Sequence, residues 1–235
     1  MTLTAREKAI FLFFALGGVL SLSFYLTSSL ITRLRERLKN LILLQKSLEK
    51  TYLDTVMALA QAVEAKDPKI KDHLERSIRY ATLIGKELGL NREDMEALKF
   101  GAILHDIGKI GVNGNILFKK GPLTPEEYER IKKHPEMGVR IINGVDFLQR
   151  VEPIIRYHHE RYDGKGYPEG KKGEEIPLLA RIMSVVDAYE AMTSDRPYKK
   201  AMSREEAKRE LLREKGKQFD PLIVDIFLKK LEEEK

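Results

Sequence analysis

Apolar residues run from Ala9 to Thr32 without a single charge, 24 positions drawn mostly from Phe, Leu, Ala, Val and Ile. About 20 such residues span a bilayer as a helix. A run that is apolar on every face is not the pattern of a helix packed on one side of a soluble core. The pattern then changes. Leu34, Leu38, Leu41, Leu48, Tyr52 and Leu59 recur at helical spacing, Gln45 and Thr55 interrupt them, and neither Pro nor Gly follows until Pro68. This predicts a short tail over 1–8, a single-pass transmembrane helix over 9–32 and a linker helix over 33–66 whose seam pairs with a second copy in a homodimer. The competing readings are a cleaved signal peptide and an amphipathic helix lying on its own domain. The first is disfavoured by the length of the run and by the lack of a small-residue cleavage site.

From about residue 51 to residue 235 the pattern is that of helices joined by short loops. Ile70–Leu88 and Arg92–Lys109 are apolar at helical spacing, with Gly89 as the stop between them. Thr124-Pro125-Glu126-Glu127 reads as a capping box with proline at the first helical position, and its helix is expected to run on to His134. Ile176–Ser194 is the next long helix. Ser203-x-x-Glu206 caps another that ends near Gly216, and a last one opens around Pro221. No alternating strand pattern and no internal repeat is found. The predicted fold class is all-α.

Charge sharpens the N-terminal reading. Residues 1–50 hold eight basic and three acidic side chains, +5, against +1 for the rest of the chain. The basic excess is therefore not a nucleic-acid surface spread over a domain, and no nucleic-acid polymer is expected as a partner. Arg33, Arg35, Arg37 and Lys39 follow the apolar run and outnumber Arg6 and Lys8 before it, which places the C-terminal side in the cytoplasm. The expected location is the inner (cytoplasmic) membrane. Cysteine is absent, so disulfides, thiolate metal sites and cysteine nucleophiles are excluded.

All five histidines lie between His73 and His159: His73, the doublet His105-Asp106, His134 and the pair His158-His159. Histidine is the commonest metal ligand, and five within one polar-punctuated window are hard to read as scattered core residues. Adjacent helical side chains point about 100° apart, so His105 and Asp106 can serve one centre only at a helix end, unless the carboxylate bridges two metals. Asp187 stands alone in an apolar helix, a costly placement unless it is paired or metal-bound.

These residues carry a resemblance. His105-Asp106 is similar to the doublet of the HD superfamily of metal-dependent phosphohydrolases. His158-His159-Glu160-Arg161-Tyr162-Asp163-Gly164-Lys165-Gly166-Tyr167-Pro168 resembles the signature of its HD-GYP branch, which hydrolyses the bacterial second messenger cyclic di-GMP. Glu64-Ala-Lys-Asp67-Pro68, Gly121-Pro-Leu-Thr-Pro-Glu126 and Asp187-Ala-Tyr-Glu-Ala-Met-Thr-Ser-Asp195-Arg196-Pro197 agree with it, so that the likeness covers about 51–235, a whole catalytic domain.

The resemblance implies two divalent metal ions, iron or manganese. His73, His105, Asp106 and Asp187 would hold one; Asp106, His134, His158 and His159 would hold the other, with Asp106 shared. A water activated between them would attack phosphorus in line with the leaving 3′ oxygen, giving linear pGpG, or GMP where a second cleavage follows. Lys109, Tyr167, Arg196 and Lys199 match positions that contact substrate. Read without the family, Lys109 has a second reading as a cation at a helix C-terminus, Arg196 and Lys199 are solvated charges, and Glu160 is either a partner orienting an imidazole or a surface salt-bridge residue. Phe219-Asp220-Pro221 reads as structural. The chain departs from some relatives at Lys69, where a carboxylate would bind a third metal, and at Asn113-Gly114, where Pro-Asp is common. Two competing functions remain at this level: a non-catalytic module binding cyclic dinucleotides or a partner, and a phosphodiesterase for a hybrid cyclic GMP-AMP dinucleotide.

Overall fold

The computed structural model describes residues 4–63, 70–117, 119, 121–194 and 200–233. Two compact units divide the chain, Met1–Tyr52 and Leu53–Lys235. Helix α1, Ala5–Val63, carries the apolar run and residues 33–63 of the expected linker, whose residues 64–66 lie outside the described residues. It contains a stretch long and apolar enough to cross a membrane, and none of that stretch is buried.

The second unit is a helical bundle, so the all-α expectation holds. After the end of α1 come α2 (Ile70–Glu87), α3 (Arg92–Leu104), α4 (Gly114–Leu117), α5 (Pro125–Ile131), α6 (His134–Ile142), α7 (Glu152–Tyr157), α8 (Leu178–Thr193), α9 (Arg204–Glu214) and α10 (Pro221–Glu233). Among the described residues the only β pairing is two isolated bridges, Asp163 with Lys172 and Lys215 with Phe219. The helix ends obey local chemistry. Gly89 takes φ +67° just after α2, a conformation that costs glycine little. Asn91 then caps α3 by accepting from the Asp94 amide at 2.8 Å. The capping boxes at Thr124/Glu127 and Ser203/Glu206 form as predicted.

Two helices end earlier than periodicity suggests, and both breaks lie at the site. The expected Arg92–Lys109 helix stops at Leu104 and continues as a 3-10 turn over Ile107–Gly111. The helix opened by Thr124 stops at Ile131, and His134 begins a new one.

The bundle closes over two apolar clusters. One joins α2, α3, α7, α8, α9 and α10, with Tyr80, Tyr189 and Phe227 meeting edge-to-face at 5.1–5.4 Å between centroids. Burying a large apolar side chain contributes about 1.5–3 kcal/mol. The other cluster unites Val56 and Ala60 near the end of α1 with Phe100, Ile103 and Ile107, and with Val151 and Ile155. Gly101 lets α3 approach α7, since a Cβ there would lie 2.5 Å from Ile154 Cδ1. Asp220 is structural as expected: it pairs with Arg181 and accepts from the Leu222 amide at the start of α10.

Candidate metal centre

The site forms where helices end. His105 is the C-cap of α3, and Asp106 follows at φ −100°, ψ 4°, outside helical geometry. That turn lets two adjacent side chains reach one centre, as a continuous helix would not. Gly108 then packs against the start of α6, so closely that a Cβ would meet the His134 carbonyl oxygen at 1.9 Å. His134 is the first residue of α6, and His158 is the C-cap of α7 with His159 immediately after it. Asp187 projects from the middle of α8, and His73 from the first turn of α2.

Two groups of donor atoms result, each drawn together within 4.8 Å: Asp106, His134, His158 and His159 in one, His73, His105 and Asp187 in the other. Asp106 sits between them. Its Oδ1 lies 3.3 Å from His134 Nε2 and 4.0 Å from His158 Nε2, and its Oδ2 lies 3.5 Å from His105 Nε2. His105 Nε2 is also 3.7 Å from Asp187 Oδ1. The Lys109 ammonium contacts Asp106 Oδ2.

The outer ring nitrogens are already committed. Nδ1 of His105, His134 and His158 faces the carbonyl oxygens of Ala102, Ile131 and Ile155 at 3.2, 2.8 and 2.9 Å. A carbonyl can only accept, so Nδ1 carries a proton in each ring, and Nε2 is the inward nitrogen that can ligate a metal once the ring is neutral. His105 Nε2 and Asp106 Oδ1 are buried with no hydrogen-bond partner. Buried polar atoms are rarely orphaned. Nitrogen and oxygen donors so placed, with no sulfur, suit divalent metal ions, and the residues fit two such ions.

Electrostatics agree. Burial would lift Asp106, but Lys109, His105 and His134 outweigh it and hold the carboxyl well below its usual range. Burial would likewise lift Asp187, and the neighbouring His105 imidazole holds it far down. Burial pulls His105 down, yet Asp106 and Asp187 together raise it to about 9. Burial, followed by the charge of neighbouring histidines, pushes His158 well below its usual value. Burial pushes His159 down to about 4.

The remaining expected positions fall out as follows. Tyr167 stacks on His159 with centroids 4.8 Å apart and planes at 28°, and its hydroxyl is pushed upward by burial. Arg196, Lys199 and Lys69 lie outside the described residues. Glu160 departs from both readings of it. It is buried, and its Oε1 accepts from the amides of Glu169 and Gly170 at 2.8 and 3.0 Å, closing the loop that carries Tyr167. Sequence reasoning missed Glu190, whose carboxylate meets His73 Nδ1 at 3.2 Å and Arg76 at 2.9 Å. The readable signal was its position three residues after Asp187, on the same face of α8.

Comparison with known proteins places this geometry. A family model described as HD domain matches residues 57–223. A cyclic di-GMP phosphodiesterase response regulator of Xanthomonas campestris is 39% identical over 193 residues, covering 81% of this chain and 51% of that protein. A cyclic di-GMP phosphodiesterase of Thermotoga maritima is 40% identical over 200 residues, covering 81% and 54%. A 3'3'-cGAMP-specific phosphodiesterase of Vibrio cholerae is 34% identical over 192 residues, covering 81% and 37%. The chain thus spans about half the length, or less, of the curated relatives it matches. Among solved structures, a cyclic GMP-AMP specific phosphodiesterase of V. cholerae superposes with TM-score 0.60 at 22% identity, over 77% of this chain and 48% of that one. Likeness at that identity carries the fold. With the doublet, the histidine pair and the Gly-Tyr-Pro loop gathered on one helical bundle, the chain belongs to the HD domain family, in its HD-GYP branch.

Proposed function

We propose that this chain is a metal-dependent phosphodiesterase that hydrolyses cyclic di-GMP, with linear pGpG as the product or, where a second cleavage follows, GMP. The observation that carries the reading is the pair of donor groups meeting at Asp106, whose two oxygens face different histidines. His73, His105, Asp106 and Asp187 would hold one divalent ion, and Asp106, His134, His158 and His159 the other, iron or manganese in both. Bound there, the ions supply Lewis acidity at the phosphate and a lowered pKa for the attacking water. The protein does the rest. Backbone carbonyls fix three imidazoles so that their inner nitrogens stay available. The Lys109 ammonium, which contacts Asp106 Oδ2, can turn to a phosphate oxygen and offset its charge. The Tyr167 ring roofs His159 and offers a stacking face to a base. Arg196 and Lys199 are assigned to substrate phosphate on the resemblance alone.

Residues 9–32 of α1 would anchor the chain in the inner membrane. Residues 33–66 would link that anchor to the catalytic domain at 51–235 and pair two copies. The exposed apolar run supports the anchor.

A second reading is favoured by the 34% identity to a 3'3'-cGAMP-specific enzyme: the hybrid dinucleotide as substrate. One experiment separates the readings. Anaerobically purified, manganese-loaded protein is incubated with cyclic di-GMP, 3'3'-cGAMP and cyclic di-AMP, and products are resolved by chromatography beside an Asp106→Ala control. Preferred turnover of cyclic di-GMP, lost in the control, is expected. Preferred turnover of 3'3'-cGAMP moves the assignment to the hybrid. No hydrolysis of any substrate by metal-loaded protein refutes catalysis.

A further inference from the structure

Four of the histidines fix their outer nitrogens in two different ways. His105, His134 and His158 use backbone carbonyls, whereas His73 turns Nδ1 to a side chain, the carboxylate of Glu190, at 3.2 Å. Glu190 is fully buried. A buried carboxylate is costly unless it is paired. Its partner is Arg76, whose Nε donates to Oε2 at 2.9 Å and to Oε1 at 3.2 Å, while Nη2 donates to Ser194 Oγ at 2.9 Å. The spacing explains the arrangement. His73 and Arg76 are one turn apart on α2, and Asp187 and Glu190 one turn apart on α8, so each helix presents both members on one face. His73 and Asp187 form the inner layer, Arg76 and Glu190 the outer.

We propose that Glu190, held in place by Arg76, is a positioning residue that sets the metal affinity of the group formed by His73, His105 and Asp187. The group formed by Asp106, His134, His158 and His159 is independent of it. The inference rests on the two-metal reading above. A carboxylate only accepts hydrogen bonds, so it holds the proton on His73 Nδ1 and leaves Nε2 as the donor to metal. Its charge also makes that imidazole a stronger ligand than one backed by a neutral carbonyl. A glutamine could instead present its NH2 to Nδ1 and favour the wrong tautomer. His105, His134 and His158 are oriented by main chain, so among these four imidazoles it is the His73 position that is tunable through a side chain. The two metals are therefore held unequally, and the second is the one Glu190 governs.

The test is a titration of metal-free protein with Mn²⁺, free ion being followed by electron paramagnetic resonance and no substrate being present. The parent should bind two equivalents. Glu190→Gln should bind the first with parent affinity and the second about 10–100-fold more weakly. The thermal midpoint of the metal-free form reports whether the fold is intact. Glu190→Asp keeps the charge beside Arg76 but shortens the reach to His73, so it should show the same selective loss and decides the matter if the Gln variant does not fold. Two equivalents at parent affinity in a folded variant overturn the inference and leave the two-metal reading standing, as does equal weakening of both classes. Failure of both variants to fold also overturns it, because Glu190 is then a fold residue. A parent that binds fewer than two equivalents refutes the two-metal reading itself, and this inference with it.

Discussion

Tyr167 lies flat over His159, ring centroids 4.8 Å apart and planes at 28°. The loop that carries Tyr167 is tied back at both sides of the ring. Its amide donates to the His159 carbonyl at 3.3 Å, and the amides of Glu169 and Gly170 close on Glu160. Gly166 allows this, since a Cβ there would lie 2.3 Å from the Arg161 nitrogen. The ring is thus both a cover for one imidazole and a wall of the space above the centre.

Tyr167→Phe keeps the stack and removes only the hydroxyl, whereas Tyr167→Ala removes both. We expect the Phe variant to stay within a few-fold of the parent. The Ala variant should raise the Michaelis constant for the dinucleotide by about tenfold, since base–aromatic stacking contributes ~1–3 kcal/mol. Metal content measured beside the kinetics should stay unchanged in both. Parent-like kinetics in the Ala variant would show that the ring serves only the loop.

The helices of the bundle were legible because apolar spacing and capping chemistry are local. Thr124/Glu127 and Ser203/Glu206 needed no tertiary information. The donor set was legible because histidine, unlike leucine, has few reasons to cluster. What local pattern could not give was the two breaks that build the site. Leu104 to Gly111 keeps helical periodicity, yet Gly108 must touch the His134 carbonyl, and that contact joins residues 26 apart. Glu160 was misread for the same reason: its partners are amides of the loop after it, invisible to side-chain pattern.

Gly108→Ala tests that contact. The added methyl would fall 1.9 Å from the His134 oxygen and 2.5 Å from the Gly138 nitrogen, both backbone atoms. Overpacking of this kind costs about 1–3 kcal/mol, and relief by shifting the turn would carry Asp106 away from His134. The expected result is a lower melting midpoint together with loss of metal from both positions, read by elemental analysis. Unchanged stability and full metal loading would show that the turn and α6 separate freely.

Proton linkage gives the last prediction, for the metal-free protein. His159 sits at about 4, below the ~6.5 of a free imidazole. A depressed histidine contributes stability that is present above pH ~6.5 and lost as pH falls through about 4. His158 is shifted the same way by burial. His105 is raised to about 9, so its contribution is full below pH ~6.5 and lost as pH rises through about 9. Stability of the metal-free form should therefore peak near pH 6.5 and fall on both sides. Metal reverses the basic limb, because a ligand imidazole must be neutral. Between pH 7 and 8 His105 is charged before metal enters, while His158 and His159 are already neutral, so binding should release about one proton per chain. Calorimetric titration of Mn²⁺ in buffers of different ionisation enthalpy measures that number. Release of none would mean that the His105 proton is absent before metal arrives, and that Asp106 and Asp187 do not hold it.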